Sequence, residues 1–186
     1  MKVNRLLIIA TLSLWSAAYA NKDPVPQSGL QPAILISSGE IAAAVKHNGT
    51  GALSDSVLRV IPIASKYNIG VAVVRRSRMS GHMPPDALVH EAVTEVYQII
   101  EGRGVMVTGG VLQSPRPIAD AAILGEIGPS SAGQAIVGGA RRRVGPGDIV
   151  VIPAGTPHGF LEVTTARIVY TIIRIDPLGV LHGKAH

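Results

Sequence analysis

The sequence predicts an all-β fold, an antiparallel sandwich or barrel of many short strands. Three observations carry that expectation. Hydrophobic residues make up 47% of the 186, yet one Trp, four Tyr and one Phe are the whole aromatic complement. The core must therefore be built from Val, Ile, Leu and Ala. Twenty-one glycines and thirteen prolines break the chain at short intervals, which argues against an all-helical bundle. From residue 56 onward, β-branched runs recur between those breaks.

The first twenty residues stand apart from that pattern. Lys2 and Arg5 precede an apolar stretch from Leu6 to Trp15, and Ala18-Tyr19-Ala20 is a small-x-small site. A ten-residue stretch falls short of the roughly 20 a membrane span needs. The segment 1–20 is therefore expected to be a signal peptide cut after Ala20, making the protein secreted or periplasmic with no stable membrane anchor. Removing Lys2 and Arg5 lowers the net charge from +5 to +3. Arg141-Arg142-Arg143 is a dense basic run, but there is no basic stripe interleaved with aromatics. No nucleic-acid partner is expected.

Residues 21–55 are expected to be an extension carrying a short N-terminal helix. The stretch from Asn21 to Pro32 is polar and Pro-rich, an extended lead-in. Ser37 or Ser38 then offers an N-cap for a helix through 41–45, which Asn48-Gly49-Thr50-Gly51 would end. A β-barrel is expected over 56–175 and a C-terminal tail over 176–186. Runs at 57–63 and 69–76, separated by Ser65-Lys66-Tyr67-Asn68, read as a hairpin. Residues 81–86 read as a loop. Further strands are expected at 94–100, 104–108, 134–137, 140–144, 149–152, 159–163 and 168–175. Between them, 113–133 is a long Pro-, Gly- and Ser-rich connection expected to lie over one side of the barrel.

Several chemistries are excluded outright. With no cysteine there is no disulfide framework, thiol nucleophile or Cys-ligated metal site. Neither a P-loop nor a G-x-S-x-G elbow is present. What remains is the segment Gly147-Asp148-Ile149-Val150-Val151-Ile152-Pro153-Ala154-Gly155-Thr156-Pro157-His158. Here a strand runs into a Pro-x-Gly turn, and a histidine opens the next strand. Strict alternation along that strand would place His158, Phe160 and Glu162 on one face. The second notable segment runs from His90 through Glu95 to Gly102, with Glu95, Tyr97 and Ile99 sharing a face.

These two segments resemble the motifs of the cupin family of small jelly-roll β-barrels. Gly147, Pro153, Gly155 and His158 match the second motif, with Glu162 where the family has Asn. His90, Glu95 and Gly102 match the first, but Leu88 stands where its first histidine belongs and the leading glycine is missing. The resemblance covers roughly 56–175. It implies a single cupin barrel and a divalent transition metal (Fe, Cu, Mn, Ni or Zn) held by His90, Glu95 and His158. Two imidazoles and a carboxylate suit such ions and do not choose among them.

An expected inward Glu162 is the candidate catalytic acid or base; a fourth ligand and a surface charge are its other readings. His82 stands in the loop before Leu88 as a conceivable replacement ligand. Tyr97 reads as pocket wall, and Arg141 and Arg143 as either anion contacts or solvated charges. The function expected from this is a metal-dependent, oxygenase-like oxidoreductase acting on a small organic or sugar-derived compound. Alternatives are a non-catalytic small-ligand-binding barrel, in which Leu88 marks an absent metal site, and an isomerase or lyase in which Glu162 moves a proton. A homodimer formed through an edge strand is expected by the same resemblance.

Overall fold

The computed structural model describes residues 32–47, 51–80 and 87–183. The expected signal peptide, the end of the first helix at 48–50, the loop with His82 and the last three residues lie outside them. Among the described residues no helix is long and apolar enough to cross a membrane.

Helix α1 (Ser38–His47) starts with a reciprocal cap. The Ser37 Oγ accepts from the Glu40 N–H at 3.2 Å, and the Ser37 N–H donates to Glu40 Oε2 at 3.1 Å. Strand β1 (Leu53–Ile63) and β2 (Tyr67–Met79) form the expected hairpin. Then follow β3 (Ala87–His90), β4 (Thr94–Glu101), β5 (Gly104–Thr108), β6 (Val111–Gln113) and β7 (Arg116–Pro117). A short helix α2 (Ala121–Ile127) leads to β8 (Ser130–Gly133), β9 (Ala135–Val137), β10 (Ala140–Val144), β11 (Ile149–Ile152) and β12 (His158–Asp176).

The result is a curled antiparallel half-barrel, all-β apart from two short helices among the described residues. Its centre is β12, a single 19-residue strand where two were expected, at 159–163 and 168–175. Its first half pairs with β5 and its second half lies between β2 and β4. β10 extends the sheet from β5, β11 extends it from β4, and β6 pairs only with β9. The long connection is not bare loop. It contains β7, α2 and β8, with Asp120 capping α2 by accepting from the Ala122 and Ile123 N–H groups.

Register across β2, β12 and β4 sets up the interior. Ile172 stands between Ala72 and Tyr97, and Tyr170 between Val74 and Ile99. All six are buried, and with Met106, Phe160, Val163 and Ile168 they form the apolar core. One step further along, Arg174 stands between Gly70 and Glu95. Because side chains alternate strictly, this row faces the same interior. A Cβ on Gly70 would come within 3.1 Å of both Arg174 Cβ and Leu181 Cδ1, so glycine makes the room for the arginine. β1 starts at Leu53, ahead of the expected 56, and brings Asp55 inward opposite Val74.

Candidate metal centre

Three elements converge at one end of the barrel. β3 ends on His90, β4 presents Glu95 from its inward face, and β12 begins on His158, opposite Leu88. The Pro-x-Gly turn is what delivers His158. Gly155 adopts φ +77°, a left-handed conformation that favours glycine. Its N–H donates to the His90 carbonyl at 2.7 Å, while the Pro157 carbonyl accepts from Gly109 at 2.8 Å. The turn is thereby pinned to the ends of both neighbouring strands.

His90, Glu95 and His158 are 4%, 1% and 3% exposed, and their potential ligand atoms all lie within 4.8 Å of one another. His90 Nε2 is 3.4 Å and His158 Nε2 3.3 Å from the same oxygen, Glu95 Oε2. The tautomers follow from what the other ring nitrogens touch. His158 Nδ1 is 3.0 Å from the Thr156 carbonyl, which can only accept, so Nδ1 carries the proton. His90 Nδ1 is 2.7 Å from Ser130 Oγ, whose own proton goes to the Gly128 carbonyl at 2.8 Å. The serine oxygen therefore accepts from His90.

Both rings, when neutral, thus aim Nε2 lone pairs at a carboxylate oxygen. Three acceptors cannot face one another closely in a buried site unless a proton or a metal cation lies among them. Charge-assisted N–H···O bonds measure about 2.7–2.9 Å, shorter than the 3.3 and 3.4 Å found. Ligands about 2.0–2.1 Å from a shared ion would stand roughly 3.0–3.4 Å apart. The donor set and its spacing therefore fit a divalent ion, and Ser130 and the Thr156 carbonyl orient the two rings as outer partners of metal-bound histidines do.

The other face of Glu95 is held by protein. Arg174 Nε donates to Oε1 at 2.9 Å, and its remaining nitrogens reach Asp55 Oδ2 at 2.5 Å and the Glu126 carbonyl at 3.2 Å. Tyr97 donates its phenol to Oε2 at 2.9 Å and stacks on Tyr170 with centroids 4.7 Å apart. Burial by itself pushes the Glu95 carboxyl up. In the metal-free site, where a proton takes the ion's place between the rings and Oε2, the His90 charge, hydrogen bonds from His158 and His90 and the Arg174 charge outweigh it, holding the group well below its usual range. Burial and the Glu95 charge push the Tyr97 phenol well above its ordinary value, so it stays a neutral donor. Burial would lower the Arg174 guanidinium, but Asp55 and Glu95 raise it above its ordinary value.

Glu162 is a correction. The register slips between Phe160 and Glu162, which pair with Met106 and Val105. Such a β-bulge inserts one residue and turns the following side chain to the opposite face. Phe160 and Val163 are buried inward, whereas Glu162 is half-buried and lines an outer cleft of about 340 Å³ with Arg103, Arg143, Asp148 and Thr164. Four residues of β-strand separate it from His158, roughly 13 Å along the chain. Its register puts it on the strand face opposite Phe160 and Val163, not on the inward face expected from alternation. Arg143 lies across Val105 from Glu162 in the same row, and Arg141 is exposed on the same strand.

Reasoning from sequence missed Arg174, Asp55 and Ser130. Arg174 had a signal: it falls on the inward step of Ile168, Tyr170 and Ile172. Asp55 precedes the β-branched run, and Ser130 sits in a Ser/Gly-rich stretch, so neither had one.

Fold and site together define a curled antiparallel half-barrel with a buried His–Glu–His cluster. No protein-family profile and no curated protein matches the sequence. Among solved structures, the chain is similar to the DMSP lyase DddQ from Ruegeria pomeroyi DSS-3. That match has 20% identity and a TM-score of 0.42, covering 72% of this chain and 54% of that one. An oxalate oxidase is similar at 14% identity and TM-score 0.43, covering 70% of this chain and 54% of that one. KdgF from Halomonas sp. is similar at 16% identity and TM-score 0.41, covering 68% and 79%. The chain thus spans about half the length of the first two structures. Likenesses of this size carry no argument.

Proposed function

We propose that this chain is a metal-dependent oxidoreductase of the oxygen-using kind, acting on a small organic or sugar-derived compound. One observation carries the reading: two histidine lone pairs with fixed tautomers converge on one carboxylate oxygen at 3.3 and 3.4 Å. A bound divalent iron at such a two-histidine, one-carboxylate set supplies redox and Lewis-acid chemistry with coordination positions left over for other ligands. The protein's share is positioning. Ser130 and Thr156 hold the rings, Arg174 fixes Glu95 Oε1, and the neutral Tyr97 phenol donates to Oε2. Leu88, paired with His158, puts an apolar side chain where the cupin pattern has a histidine. The outward Glu162 counts against an isomerase or lyase that depends on it.

Elemental analysis of untagged protein beginning at Asn21 tests this. We expect about one equivalent of transition metal, none in His158→Ala, and roughly 10–100-fold weaker retention in Ser130→Ala, the usual effect of removing an outer partner. Oxygen uptake in the presence of candidate hydroxy acids and sugar acids should then follow metal content. Near-zero metal after reconstitution with each of iron, copper, manganese, nickel and zinc would sink the reading in favour of a metal-free ligand-binding barrel.

A further inference from the structure

We propose that Arg174 is a built-in counter-cation for Glu95, which lets the barrel fold without metal and keeps the ion exchangeable. The inference rests on the metal-centre reading and goes beyond it. A buried carboxylate needs either a cation or strong hydrogen bonds, and Glu95 already has a guanidinium on Oε1 at 2.9 Å. That arginine is 2% exposed. It is secured from three sides, by Glu95, by Asp55 Oδ2 and by the Glu126 carbonyl at the end of α2. Gly70 leaves the space it occupies. The positive charge is part of the fold whether or not an ion is bound.

Its consequence for a metal is electrostatic. An ion among His90, His158 and Glu95 Oε2 shares one carboxylate with Arg174 and meets a like charge across it, in an interior where charges are weakly screened. Asp55 sits on the far side of the guanidinium and offsets part of that repulsion. Its Oδ2 is on Arg174, and its Oδ1 is buried with no hydrogen-bond partner among the described residues. The two residues therefore act on the ion in opposite senses: Arg174 loosens it, and Asp55 moderates the loosening. Arg174 is a positioning residue, acting on the ion through Glu95.

The test is calorimetric titration of chelator-stripped protein with Zn²⁺ and Co²⁺, beside thermal melts with and without ion. Wild type, Asp55→Asn and the double variant Asp55→Asn/Arg174→Met are compared. The double variant is used because Arg174→Met alone would also strand the Asp55 carboxylate. Affinity should rise in the order Asp55→Asn, wild type, double variant, with about tenfold or more between the first and last, as one like charge removed from a poorly screened site predicts. Without ion, wild type should melt cooperatively and gain little on ion addition. The double variant should melt lower and gain more, since a ligand stabilises in proportion to how tightly it binds. A purely structural arginine predicts the reverse, with the double variant binding most weakly. That order, or equal affinities, would overturn the proposal while leaving the metal reading intact. Should no protein take up either ion, both fail.

Discussion

Two glutamate–arginine pairs join β4 to β12, and their bond lengths are the same. Glu95 accepts from Arg174 Nε at 2.9 Å, and Glu101 accepts from Arg167 Nε and Nη2, each at 2.9 Å. By geometry the second is the better pair, being bidentate. Their surroundings reverse that ranking. The Arg174 and Glu95 side chains are 2% and 1% exposed, those of Arg167 and Glu101 43% and 49%. Water screens the outer pair and would solvate either partner if the other were lost. The inner pair has no such alternative. Chemically matched contacts seven residues apart on one strand thus differ in what they do: one decorates a surface, and the other holds the carboxylate whose second oxygen faces two histidines.

The largest expected effect comes from breaking the inner pair on one side. Arg174→Ala leaves Glu95 and Asp55 without their guanidinium and opens a hole beside Leu181. Removing one partner of a buried ion pair costs about 3–5 kcal/mol. Urea unfolding of the metal-free protein should show a loss of that order. A loss below about 1 kcal/mol would mean that water reaches Glu95 and that the two pairs are less different than their burial says.

How much of this could be seen in the sequence depends on how local each feature is. His90, Glu95 and His158 were legible through the resemblance of their spacing to the cupin motifs, and the Pro153-Ala154-Gly155 turn announces itself. Most strands were legible for the same reason, as β-branched runs between breakers. Glu162 was placed on the wrong face because alternation was carried through Phe160-Leu161-Glu162, where the sheet slips by one residue; nothing in three consecutive side chains marks a bulge set by the partner strand. The helix at 121–127 was hidden by the Pro- and Gly-rich composition around it. Ser130 owes its role to a contact across 40 positions, and Asp55 to one across 119. Such long-range polar pairs leave no periodic trace in either partner's neighbourhood.

Acid sharpens the comparison by testing the inner pair directly. The Glu95 carboxyl binds a proton less readily in the folded protein than in the unfolded chain, whose value is near 4.5. Its contribution to stability is therefore complete above about pH 4.5 and is lost as pH falls through the lower folded value. Denaturation midpoints measured from pH 7 to pH 3 should fall more steeply for wild type than for Glu95→Gln, which has no proton to take up there. Equal slopes would show that Glu95 is not held ionised by its partners.

The smallest effect belongs to the outer pair, and its smallness is itself the prediction. Glu101→Gln keeps the shape and a hydrogen-bond acceptor while removing the charge. Exposed pairs contribute about 0.2–1 kcal/mol, and in 1 M salt the screening length shrinks to roughly 3 Å. The difference between wild type and Glu101→Gln should be at most about 1 kcal/mol in dilute buffer and should vanish in 1 M NaCl. The bidentate fork makes this a demanding case, because good geometry is where an exposed pair has its best chance of mattering. A difference above about 2 kcal/mol that survived high salt would mean that bond geometry, rather than burial, ranks the two pairs. The argument that gives Arg174 its hold over Glu95 would then lose its footing, since it depends on the same 2.9 Å contact being worth far more where water is absent.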